Sequence, residues 1–149
     1  MRGAAIPLCM ISTLAFVTAC RPDTSSEPPR ARAGEGLAGL GDRGLFRFEL
    51  TLTPDPPIVG EFFRVVTNVR DARTGAPASM VHFELSAAMP EHGHGMTTSP
   101  EHHARGPGAY VSEGMKFHMA GPWVFSAEAE AAGVRDQISL PFEQPPRFR

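Results

Sequence analysis

From Leu45 onward the apolar residues fall on every second position. In "LFRFELTLT", Phe46, Phe48, Leu50 and Leu52 alternate with Arg47, Glu49 and Thr51. Period two marks a strand with one buried face, because successive side chains of an extended chain point to opposite sides. After a proline-rich reversal, "PDPPIVGE", the pattern resumes: "FFRVVTNV" puts Phe63, Val65, Thr67 and Val69 on one face. "DARTGAP" is a second turn, and "MVHFELSA" directs Val81, Phe83 and Leu85 inward and Met80, His82 and Glu84 outward. "GPGAYVSEGMKFHM" reads as one or two strands, its second half alternating Met115, Phe117 and Met119 against Lys116 and His118. "GPWVFSAEAE" sets Trp123, Phe125 and Ala127 against Val124, Ser126 and Glu128, and "VRDQISLPF" closes with Ile138, Leu140 and Phe142.

No segment of useful length keeps a 3.6-residue period. "FSAEAEAAG" has a helix former's composition, yet Trp123, Phe125, Ala127 and Ala129 continue the alternation through it, so it reads as strand. About seven short strands separated by Gly/Pro turns predict an all-β chain folded as an immunoglobulin-like β-sandwich. The predicted domain runs over residues 45–142, close to the ~100 residues usual for that architecture. Its expected core is Phe48, Leu50, Val65, Phe83, Leu85, Phe117, Trp123, Phe125 and Leu140, and residues 143–149 read as a flexible tail.

The first residues follow a different logic. Arg2 precedes "AAIPLCMISTLAFVTA", an uncharged run of 16 residues from Ala4 to Ala19, which has the layout of a secretory signal and falls short of the ~20 residues that span a bilayer. The ending "VTAC" resembles a bacterial lipobox. That resemblance implies a signal peptide over residues 1–19, cleaved so that Cys20 becomes the lipidated N-terminus. The following segment, residues 20–44, is rich in Pro, Gly, Ser and charge, with Leu37 and Leu40 isolated in it. It reads as a disordered tether, since it has too little apolar surface to offset its ordering entropy.

Charge and cysteine count then narrow the chemistry. The chain has two cysteines; Cys9 leaves with the leader and Cys20 carries lipid, so the domain can form neither a disulfide nor a thiolate zinc site. Loss of the leader removes Arg2, leaving 13 Lys and Arg against 16 Asp and Glu, net −3. That balance gives no basic surface for nucleic acid. No HExxH, Gly-rich phosphate loop or nucleophile elbow is present, and Glu128 and Glu130 read as a solvated face, so the chain is not expected to be an enzyme.

One stretch concentrates chemistry: "AMPEHGHGM" holds Met89, His92, His94 and Met96 with Gly93 and Gly95 between them. Imidazole suits copper, zinc and nickel, and thioether sulfur favours Cu(I). In an extended conformation His92, His94 and Met96 would share one side. His118, or alternatively His82, could complete the set if its strand ends nearby, whereas His102 and His103 read as part of an exposed loop. The same loop is also readable as a solvated turn with Met89 and Met96 tucked into the end of the sandwich.

"PPIVGEFFRVVTNVRDARTGAP", "AMPEHGHGM" and "GPGAYVSEGMKFHMAGPWVFSAE" together resemble the YtkA-like domain, a small immunoglobulin-like module of bacterial secreted and membrane-anchored proteins. The resemblance rests on a Pro–Gly turn, a Met-Pro-x-His-x-His loop and the positions Tyr110, Phe117, Met119, Gly121 and Trp123. It implies association with envelope proteins concerned with copper and respiratory oxidases, and no settled activity. Two functions are therefore expected to compete. One is a lipid-anchored module facing the periplasm that binds a copper ion through Met89, His92, His94, Met96 and His118. The other is a non-enzymatic interaction module that meets an envelope protein partner. Arg21 stands where an aspartate would resemble an inner-membrane retention signal, which favours the outer membrane.

Overall fold

The computed structural model of the chain describes residues 31–32 and 36–149. Ten strand segments follow in order: β1 (Ala31–Arg32), β2 (Leu37–Leu40), β3 (Phe46–Thr53), β4 (Phe62–Asp71), β5 (Met80–Met89), β6 (His94–Gly95), β7 (Glu101–Gly106), β8 (Ala109–Lys116), β9 (Gly121–Ala131) and β10 (Val134–Gln144). They form two five-stranded sheets, β1-β10-β9-β5-β6 and β2-β3-β4-β8-β7. Every named strand pair is antiparallel except β1 with β10. The inward faces pack together as an all-β sandwich, and the alternation in the sequence is the reason. In β3 burial alternates strictly, with Phe46, Phe48, Leu50 and Leu52 inside. All nine expected core residues are buried, Phe48, Val65, Phe117, Trp123 and Phe125 completely.

The centre of the core is aromatic. Phe117 stacks on Trp123 with ring centroids 4.4 Å apart and also touches Phe63, Phe125 and Phe142 at 4.8, 5.6 and 5.9 Å. The Trp123 indole N–H donates to the Met119 carbonyl at 3.1 Å, so the ring is buried with its polar atom satisfied.

The domain is longer at both ends than its hydrophobic pattern implies. Residues 36–44 were expected to be tether, but Leu37 is 2% exposed and pairs with Leu50. Gly39 eases this: a Cβ there would stand 2.6 Å from Ile138 Cδ1, so a larger residue would have to displace that side-chain end for β2 to lie so close to β10. The turn that follows is held by Asp136 of β10, whose carboxylate accepts the backbone N–H groups of Arg43, Leu45, Phe46 and Gln137 at 2.8–3.1 Å. Residues 143–149 are likewise not a loose tail. Gln144 is fully buried and donates to Pro57 O, while Arg147 donates to Pro56 O and accepts from the Val59 N–H. The signal segment, Cys20 and the tether through residue 30 lie outside the described residues.

The "EHHARG" stretch is a second correction. It is edge strand β7, exposed on nearly every residue, and an edge strand with no buried face carries no alternation to read. Its one half-buried residue, His102, ties the two sheets together. Its Nε2 accepts the Leu85 N–H of β5 at 3.3 Å, which leaves Nδ1–H to donate to Ser112 Oγ of β8 at 2.8 Å. Burial pushes the His102 pKa below its ordinary value; Glu84 opposes this, and His103 and His82 add to it.

Candidate metal centre

The end of the sandwich formed by the close of β5 and the start of β9 gathers the histidines. At Met89 the strand stops because Pro90 follows, opening a 3-10 turn over Pro90–His92. Gly93 ends that turn in the left-handed region (φ 70°), with its N–H donating to the Met89 and Pro90 carbonyls at 3.0 and 3.1 Å. A side chain at Gly93 would oppose this backbone conformation. The chain then returns as β6, His94 pairing with Met89 and Gly95 with Ala88.

Directly paired residues of antiparallel strands point to the same face. His94 is therefore set beside Met89 on the inner side of the sheet, where Met89 is fully buried. Trp123 points inward from the neighbouring strand, opposite Phe142. His118 comes from the other sheet: β8 ends at Lys116, Phe117 plugs the core, and His118 turns out at the rim. The rings of His94 and His118 stand 4.9 Å apart, with His92 5.7 Å from His94. The indole of Trp123 lies 5.4 Å from His118 and 6.3 Å from His94, edge to face with both.

His92 and His94 do not share the side of an extended strand as expected, because the 3-10 turn intervenes; they meet through the turn instead. Met96 stays on the inner side, its N–H donating to the Ala87 carbonyl at 3.2 Å, and it packs half-buried against the core. Met89 is a packing residue first: its methyl lies so near Gly121 that a Cβ there would stand 3.1 Å from it. His82 is elsewhere, on the outer face beside Glu84 and Glu128 at 3.6 and 3.7 Å.

Two hydrogen-bonding facts bear on ligation. His94 Nδ1 lies 3.3 Å from the Gly95 carbonyl, which can only accept, so this contact places a proton on Nδ1 and favours the tautomer whose Nε2 is free to ligate. His118 Nδ1 is buried and has no hydrogen-bond partner in the structure. A buried ring nitrogen left in this way costs roughly 1–3 kcal/mol unless something occupies it. Among the described residues no three His, Cys, Asp or Glu side chains are close enough to share an ion. A shared metal therefore requires the exposed His92 to swing inward or a thioether to join two imidazoles. What the sequence did not reveal is the place of Trp123, read there as a core residue and a position of the family resemblance, whose indole also lies against His94 and His118.

The YtkA-like family model matches residues 45–128, more than half of the chain. The chain belongs to the YtkA-like family. The match takes in the histidine loop, His118 and Trp123, and stops before β10. Among solved structures this YtkA-like protein is similar to the Lin-41 filamin domain, at 14% identity and a TM-score of 0.41 over 64% of this chain and 93% of that one. It is also similar to the ZirS C-terminal domain, at 16% identity and a TM-score of 0.36 over 96% of this chain and 86% of the other. No curated protein matches it.

Proposed function

We propose that this YtkA-like protein is a non-enzymatic, lipid-anchored protein of the cell envelope that binds a copper ion at the histidine end of its sandwich. The observation that carries the reading is the approach of His94 and His118 to each other beside Trp123, with His92 next to His94 and the buried Nδ1 of His118 left without a partner. His94 offers Nε2 while its Nδ1–H is held by a backbone carbonyl, the arrangement that fixes a metal-ligating tautomer. The thioethers of Met96 and Met89 supply the soft donors that favour Cu(I) over zinc where no thiolate is available. The domain holds or passes the ion near the membrane that Cys20 anchors, facing the periplasm from the outer membrane. An envelope protein receives or delivers it.

Trp123 is the sole tryptophan of the chain, so its fluorescence reports the site directly. Titration with Cu(I) should quench it at one equivalent, and the His92→Ala/His94→Ala variant should show no quenching and no heat of binding in calorimetry. Binding should weaken in acid, because imidazoles must be neutral to ligate. Equal binding by both proteins, or none by either at micromolar copper, would leave the loop as a solvated turn and the protein as an interaction module.

A further inference from the structure

Exposed phenylalanines usually stand singly, but here two stand at one end of the fold. Phe62 and Phe148 are 66% and 67% exposed, and both lie at the histidine end. Phe62 opens β4 beside Lys116, whose ammonium sits 5.4 Å from the ring centroid. Phe148 is held between two anchored arginines. Arg147 donates to Pro56 O at 2.8 Å and its carbonyl accepts the Val59 N–H, while Arg149 pairs with Glu61 at 2.9 Å. The tail is thus folded back beneath the 56–61 turn, with the Phe148 ring left outside. Among the described residues the other large exposed apolar side chains, Leu40 and Val134, lie at the far end.

Aromatic rings flanked by Lys and Arg make the composition that settles at a bilayer surface, apolar groups at headgroup depth and cations over lipid phosphate. The reach of the preceding chain permits this orientation. Ala31 pairs with Phe142 at this same end, and the ten residues from Arg21 to Arg30 can span at most roughly 35 Å. We propose that this end of the sandwich docks on an anionic bilayer through Phe62 and Phe148, with Lys116, Arg147 and Arg149 facing the headgroups. The proposal rests on Cys20 as the lipid anchor, and it turns the histidine cluster towards the membrane.

The test uses a chain beginning at Cys20, which then holds a single thiol. That thiol is coupled to a maleimide phospholipid in vesicles of phosphatidylcholine alone or with phosphatidylglycerol. Hydroxyl-radical footprinting read by mass spectrometry then reports side-chain access. On phosphatidylglycerol vesicles, oxidation of Phe62 and Phe148 should fall several-fold while Val134 and Leu40 stay as in solution. Lys116→Glu/Arg149→Glu should restore access at both phenylalanines. Unchanged oxidation at Phe62 and Phe148, or an equal fall at Val134, would overturn the docking. An equal fall on both kinds of vesicle would overturn the role assigned to charge. Because the lipid is attached chemically, the result does not depend on acylation in cells, which the mass of the chain recovered from membranes reports separately.

Discussion

Two buried polar groups at opposite ends of the sandwich have opposite fates. Asp136 is 1% exposed, and its two oxygens take four backbone N–H groups. Burial alone would push its carboxyl pKa up, but the N–H groups of Arg43, Leu45, Phe46 and Gln137 outweigh it and hold the value below the usual one. At the other end, His118 buries a ring nitrogen with nothing to receive. Both cost solvation, but only at Asp136 does the fold return it. A fully satisfied group specifies structure, whereas an unsatisfied one leaves a cost that the fold alone does not offset.

The sharpest way to break the comparison is to remove the wall of the histidine end. Trp123→Ala should destabilise the domain by about 3–5 kcal/mol, as large aromatic truncations in a packed core do, and denaturant unfolding would show it as a lower midpoint. Asp136→Ala should follow at about 3 kcal/mol, because it orphans donors that served a charged acceptor. His118→Phe should do the reverse of both. It removes the unsatisfied nitrogen and keeps the ring, so stability should move by less than about 1 kcal/mol, while copper quenching of Trp123 fluorescence is lost. A stability loss at His118 as large as that at Asp136 would erase the contrast.

Smaller effects separate the ends by pH. The folded-state pKa of Asp136 is lowered, so its contribution is complete above the unfolded value near 3.8 and is lost as the carboxylate protonates below it. His102 titrates in a different window. Its folded-state pKa is also lowered, from 6.5, so the unfolded chain takes up its proton first. Stability from His102 is therefore full above 6.5 and declines as pH falls from there towards the folded-state value. Melting temperature against pH should show a step below 6.5 that vanishes in His102→Asn, and an acid limb that shrinks in Asp136→Asn.

Strands with one buried face were legible because burial writes itself as alternation: Phe46 to Leu52 in β3 and Trp123 to Ala129 in β9 could be read residue by residue. What was hidden has physical causes. β2 buries one leucine and sets Gly39 against Ile138, and neither leaves a period. β7 is an exposed edge, so His102 looked like a loop residue although it joins both sheets. Asp136 sits at an inward position of β10, where a carboxylate contradicts the pattern unless its distant donors are known. The candidate site was legible as residue types in "MPEHGHGM", but the 3-10 turn that separates His92 from His94 follows from Pro90 and Gly93 together. The approach of His118 follows from tertiary packing alone.

The bonds made by Asp136 also order events in time. Its partners Arg43, Leu45 and Phe46 lie 90 to 93 residues earlier in the chain, and Gln144 reaches back 87 residues to Pro57. A chain that emerges from its N-terminus presents the β2–β3 turn long before the strand that completes it. Such long-range closures are slow to form, because loop entropy is lost before any contact compensates it. Until β10 arrives, the edge of β9 stands open and the core has one side missing. Premature termination anywhere before residue 136 would thus leave a chain with both ends unsealed, exposed to aggregation and proteolysis rather than merely shortened.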